Sequence, residues 1–388
     1  MPPALSARTS APAVVNLFTF NGLVIGTWAA SLAALRERLG LDAASIAIML
    51  VVAGVAAITA MQVGGRLADR FGGRRVVLTC LPVLVVGLLL AGFAGGYAVL
   101  ITAAVLLGLG NGGIDVAMNA IGVQVEAARP KPIMSFFHGM WSIGNFSGAA
   151  LVFIAALAVP AVAIQTAVIT VAVLGVASTV LALRITPETA LVPHTNDSGV
   201  KTPIPRWAYL LGLMAIAFGL GEGTAMDWSG LLVTEVTQIP AAQGSLAVTV
   251  VAGFMVAIRL LGDGLVARFG RRAVVRFGGA CSAIGYLITA VATPLPVLLV
   301  GWAAVGFGIG MIAPQVYAVA GHAAGGRGLA VVVTFGYATF LVGPAVIGLL
   351  ASRVGLQHAM FLPAALLATL PFLASVMPDD ERPARITG

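Results

Sequence analysis

Residues 42–93 read DAASIAIMLVVAGVAAITAMQVGGRLADRFGGRRVVLTCLPVLVVGLLLAGF, two long apolar runs joined by a short loop rich in arginine and glycine. A helix needs about 20 apolar residues to cross the hydrocarbon core of a bilayer. Both runs, 42–65 and 75–93, are of that order. Backbone N–H and C=O groups find no water in lipid, so such runs must form helices, and the alternation of a membrane barrel strand is missing. The stretch is a helical hairpin across a membrane.

Working outward, the pattern recurs at 12–35, 97–123, 133–159 and 161–185, then at 206–233, 241–266, 273–291, 295–321, 328–353 and 357–377. That makes about twelve spans. The composition agrees, with 60% hydrophobic and 9% charged residues and a mean hydropathy of +1.04, against roughly 25% charged residues in a soluble domain. So little charge leaves the surface of a soluble globule of this size uncovered. The 48 glycines suit helices that approach closely through small residues.

Charge placement gives topology. With a cytoplasmic N-terminus, all but Arg36, Arg38 and Arg353 of the 21 Lys and Arg residues fall on the cytoplasmic side, as the excess of Lys and Arg in cytoplasmic loops requires. Both termini are expected inside a multi-pass protein of the cytoplasmic (inner) membrane, and the first span is expected to be retained rather than cleaved. The net charge of +7 is thereby explained without nucleic acid. Cys80 and Cys281 fall within spans in opposite halves, so no disulfide, metal site or other cofactor is expected.

Residues 187–205 carry four prolines and a Thr-Asn-Asp-Ser-Gly run, which marks a cytoplasmic linker between an N-terminal half, 1–186, and a C-terminal half, 206–388. The halves are related. Arg70-Phe71-Gly72-Gly73-Arg74-Arg75 returns as Arg268-Phe269-Gly270-Arg271-Arg272, and Gly108, Gly110 and Gly112 return as Gly306, Gly308 and Gly310, both at an offset of about 198 residues. The expected fold is an all-α integral membrane protein of 12 transmembrane helices in two pseudo-symmetric six-helix bundles. Parallel halves are one transporter plan, with a substrate site between them near the bilayer midplane.

The segment 65–75, Gly-Arg-Leu-Ala-Asp-Arg-Phe-Gly-Gly-Arg-Arg, resembles the signature loop between helices two and three of the major facilitator superfamily, with one extra glycine. The resemblance implies a conformational latch formed by Asp69, Arg70 and Arg74 that helps hold an outward-open state. In the second copy Ala267 stands where Asp69 does in the first, which leaves the latch there altered or carried by Asp263. A narrower resemblance, carried by residues 110–119 and 135–142, is to a bacterial inner-membrane branch of the superfamily and, more distantly, to proton-coupled sugar symporters of the fucose permease type. In that type a membrane-embedded acid is followed four residues later by Asn, a pair that Asp115 and Asn119 fit, and the side chains at His138 and Trp141 lie near substrate.

Ionisable side chains deep in a bilayer are costly and usually mark a transport route. Asp115, His138 and Glu222 are read as mid-span, with Asp227 nearer the outer surface. Asn111, Asp115 and Asn119, spaced four apart, line one face of the fourth helix over about 12 Å. Interhelical hydrogen bonding is the structural alternative, stronger for the asparagines than for the acid. Burial raises a carboxyl pKa, so Asp115 and, second, Glu222 are the candidate proton-coupling groups. On the fifth helix Ser135, His138, Ser142 and Asn145 form a polar face beside Trp141. Asn21, Asn111, Asn119, His138, Trp141, Asn145, Gln315 and Tyr337 are the candidate substrate-binding residues. Trp28 and Trp228 are expected at the membrane surface.

These readings lead to a secondary active transporter, not an enzyme, that moves a small polar solute, for which the distant resemblance implies a sugar, by alternating access with protons as coupling ion. A monomer in membrane lipid is expected. The alternatives are a proton-driven efflux antiporter for drugs or metabolites and a non-transporting membrane sensor.

Overall fold

The computed structural model describes residues 7–129, 133–186 and 206–377; the linker expected at 187–205 lies outside the described residues. Among the described residues twelve helices are long and apolar enough to span a membrane. The first half holds α1 (Ala11–Leu39), α2 (Ala43–Phe71), α3 (Gly73–Gly92), α4 (Tyr97–Ala127), α5 (Met134–Ala158) and α6 (Pro160–Ile185). The second holds α7 (Trp207–Thr237), α8 (Ala241–Gly262), α9 (Arg271–Val291), α10 (Leu295–Ala320), α11 (Val331–Val354) and α12 (Leu356–Val376).

Local chemistry sets the hairpin turns. Asp42 caps α2 by accepting the Ser45 N–H at 2.8 Å, satisfying a donor that the first turn leaves free. At the far end Gly72 takes φ +88°, and Gly270 takes +80° at the equivalent place in the second half. Each donates its N–H back to a carbonyl four residues earlier, Ala68 or Val266, at 2.8 Å. Only glycine adopts this conformation at low cost. Just before each turn an arginine lies over the next ring, Arg70 over Phe71 at 5.1 Å and Arg268 over Phe269 at 5.2 Å. The duplication read from sequence is therefore also a duplication of backbone geometry.

The backbone is helical from Leu295 through Val354, including the link between α10 and α11 that the sequence reading leaves between spans. A straight helix would hold residues 317 and 336 roughly 28 Å apart at 1.5 Å per residue. Instead a methyl group built on Gly336 would lie 2.6 Å from the Tyr317 hydroxyl. The chain doubles back, and Phe218 of α7 packs edge-on against Tyr317 while Gly219 abuts Thr339.

Large side chains such as Phe18, Phe137, Trp302 and Tyr286 fill the bundle interiors. Val173 and Val176 of α6 are 65% and 64% exposed, an apolar face that lipid covers. Trp28 and Trp228 are only 7% and 1% exposed. Both belong to the core, which corrects the expectation of surface anchors: tertiary packing overrode the interfacial preference of indole. The two halves touch at the end where α1 and α7 finish: Arg36 pairs with Glu235 at 2.8 Å, and Gly244 and Gly348 meet Ala33 and Ala47.

Candidate functional site

The site grows out of the contact between α1 and α5. A methyl group on Gly22 would sit 2.1 Å from the Trp141 carbonyl oxygen, and one on Gly26 would sit 1.9 Å from that of Asn145. Glycine at both positions lets the two backbones meet. That approach carries Trp141 to Asn21, whose side-chain oxygen accepts the indole N–H at 2.7 Å. The Asn21 amide nitrogen donates in turn to Asn111 Oδ1 on α4 at 2.8 Å. Three of the expected substrate residues thus form one relay through α5, α1 and α4, and Asn21 is only 2% exposed. The relay fixes the ring plane of Trp141 at the boundary between the halves.

Asp115 and Asn119 lie further along α4, both half-buried. The Asn119 amide donates to the Asp115 backbone carbonyl at 2.8 Å and reaches its carboxylate at 3.3 Å. His138 is exposed, with its ring edge-on to Phe18 at 5.1 Å between centroids. From the second half Tyr337, 39% exposed, comes within electrostatic range of Asp115. Gln315 and Asn145 are buried, and among the described residues the Asn145 amide nitrogen has no hydrogen-bond partner. An orphaned buried amide is costly unless something else satisfies it.

Arg259, in α8, bridges the two halves. Its guanidinium donates to Ser142 Oγ of α5 at 2.7 Å and to the Glu222 carboxylate of α7 at 3.3 Å. A longer contact reaches the Gly310 carbonyl at 3.4 Å. The planar fork suits this, since one side chain can address several acceptors at fixed angles. Trp141, Asn145, Glu222, Met226, Met255 and Arg259 line a small cavity between the halves. Charge placement alone counts Arg259 with the cytoplasmic charges. The helix in fact runs on to Phe269, so Arg259 sits about ten residues, or roughly 15 Å, inside its end. The available clue was an arginine well inside an apolar run that continued beyond it.

The residues read as a latch lie at the hairpin turns. Arg74 donates to the Leu183 carbonyl at the end of α6 at 2.7 Å, within its own half. Arg70 covers Phe71, and Asp69 stands one residue before it near the end of α2. The Asp263 side chain lies outside the described residues.

Residues 14–232 and 211–387 match the profile of the Major Facilitator Superfamily. Over 365 residues the chain is 31% identical to an uncharacterized transporter, y4wD, of Sinorhizobium fredii, covering 93% of this chain and 96% of that one. It is 32% identical over 361 residues to an uncharacterized MFS-type transporter of Yersinia pestis, covering 91% and 92%. Among solved structures the nucleoside transporter NupG superposes with a TM-score of 0.73 at 14% identity, over 94% of this chain and 99% of that one.

Proposed function

The chain belongs to the Major Facilitator Superfamily and is a membrane transporter, and on that premise we propose that it moves a small polar solute, a sugar in the first instance, by proton-coupled alternating access. The observation that carries this reading is the pairing of Asp115 with Asn119 on a half-buried face of α4, within electrostatic range of Tyr337 from the second half. Asp115 is the proton carrier in this proposal. His138, Trp141, Asn119, Asn111, Asn21, Asn145, Gln315 and Tyr337 line or support the solute site. Glu222 is the second proton group, gated by its contact with Arg259.

The proposal takes the halves as 1–186 and 206–388 joined by the 187–205 linker, as a monomer in the cytoplasmic membrane with both termini inside. In that orientation the touching ends at Arg36 and Glu235 are periplasmic, and the open face carrying His138 looks to the cytoplasm. Asp69, Arg70, Arg74 and Asp263 serve as the latch of the opposite state. The likeness of Asp115 and Asn119 to the fucose permease type makes a sugar the first solute to try.

The test is proton flux into proteoliposomes that contain a pH dye, with sugars and then lipophilic cations offered to the wild type and to Asp115→Asn. Acidification driven by a sugar and lost in the variant is the expected result. Proton release driven by lipophilic cations would replace symport with efflux. Sugar-driven acidification that persists in the variant would remove Asp115 from the mechanism.

A further inference from the structure

Glu222 and Asp227 are five residues apart on α7, so their side chains leave the helix about 140° apart and roughly 7.5 Å along it. Glu222 faces Arg259 and the boundary between the halves. Asp227 faces elsewhere, into a separate cavity within the second half between α7 and α11, lined by Gly223, Thr224, Asp227, Thr339, Gly343 and Pro344 among others. Its interior of about 20 Å³ has room for one water-sized occupant. Methyl groups built on Gly223 or Gly343 would meet nothing within 4 Å, so both glycines border open space.

The oxygens around this cavity are arranged as acceptors. Thr339 gives its hydroxyl proton to the Phe335 carbonyl at 2.8 Å, which leaves its lone pairs free. Thr224 and Asp227 make no hydrogen bond among the described residues. Nearby donors are committed: the Tyr286 hydroxyl donates to the Gly221 carbonyl at 2.5 Å, and Arg259 serves Ser142 and Glu222. Among the described residues no basic side chain pairs with Asp227, so an ionised Asp227 lacks a countercharge.

We propose that the cavity between α7 and α11 binds a sodium-sized alkali cation, with Asp227 as the charged ligand and Thr224 and Thr339 as neutral oxygen ligands. Hard cations take oxygen ligands. A single carboxylate among neutral oxygens matches one positive charge, and an interior of about 20 Å³ suits a small ion. The site is distinct from Asp115 and requires no solute, so it stands whether or not the proton-coupled reading does.

The experiment is binding of radiolabelled sodium to the purified full-length protein by scintillation proximity at neutral pH, with choline as the inert counter-salt. The expected result is saturable binding to one site per chain, displaced by unlabelled sodium and not by choline. Affinity should fall by about tenfold or more in Asp227→Asn, where the charged ligand is lost. Gly343→Ala, whose methyl fills the cavity without meeting another atom, should lose binding while keeping the wild-type melting temperature. Asp115→Asn should bind sodium as the wild type does. A folded wild type that binds no sodium overturns the proposal, and so does binding that survives Asp227→Asn.

Discussion

Arg259 and Ser142 belong to opposite halves, and the 2.7 Å hydrogen bond between them ties α8 to α5 deep inside the bundle. The same guanidinium holds Glu222 at 3.3 Å, with the arginine 20% and the glutamate 17% exposed. Halves that rock apart at this level must break the Ser142 bond while the Glu222 contact, internal to the second half, can travel with α7 and α8. The arginine is thus a natural reporter of the transport cycle.

Arg259→Ala should therefore destabilise the protein strongly. Removing one partner of a half-buried pair leaves the other charge short of compensation, at a cost of about 1.5–3 kcal/mol. The double variant Arg259→Ala with Glu222→Gln should recover part of that loss, and Ser142→Ala alone should cost about 0.5–1.5 kcal/mol. Melting temperatures in detergent check all three. A single Arg259→Ala that melts like the wild type would mean that the pair does not form in the protein.

Replacing Asn21 by Ala should orphan the Trp141 N–H and the Asn111 carbonyl together. Each unsatisfied buried group costs about 1–3 kcal/mol. Because the three residues form one chain of bonds, Asn21→Ala combined with Asn111→Ala should destabilise by less than the sum of the single changes. A double-mutant cycle on thermal unfolding measures this, and strict additivity would show that the relay is not a unit.

The hairpin and the duplication were legible in the sequence because lipid admits few backbone solutions: apolar length and a glycine between basic residues left little else for 42–93 to do. Spacing alone put Asn111, Asp115 and Asn119 on one face. Arg259 was hidden because an arginine in the last third of a span looks in sequence like one that sets topology. Trp28 and Trp228 misled for a related reason, since a preference for the interface is an average that specific packing partners in the core reversed. Asn21 reached its partners only through the close approach of Gly22 and Gly26 to α5, a pairing that no local pattern in α1 announces.

Asp42 gives a pH signature outside the membrane. Its hydrogen bonding to Ser45 at the start of α2 holds the carboxyl below the usual carboxylate range. A group whose value is depressed on folding stabilises above its unfolded pKa, near 3.9, and that contribution is lost as pH falls through the lower folded value. Asp42→Ala should therefore melt below the wild type at neutral pH, with the gap narrowing as the medium is acidified through that window. A gap that stays constant into acid would assign the effect to something other than the ionised cap.

Gly26→Ala puts the geometry of the site itself to the test. The new methyl would fall 1.9 Å from the Asn145 carbonyl oxygen, a backbone atom that cannot swing aside as a flexible side chain would. The facing surface is equally tight, for methyl groups built on Gly144 and Gly148 of α5 would fall 2.0 and 2.2 Å from the Thr19 and Leu23 carbonyl oxygens of α1. The helices must separate, and overpacking of this kind costs about 1–3 kcal/mol. Separation would also lengthen the 2.7 Å bond from Trp141 to Asn21 on the same interface, so stability and solute transport should fall together. Gly95→Ala, in the turn between α3 and α4 where a methyl meets nothing within 4 Å, should change neither. Unfolding temperature and transport rate measured on both variants decide the matter: a Gly26→Ala protein that unfolds and transports like the wild type would mean that α1 and α5 are not in backbone contact, and the relay built on that contact would go with it.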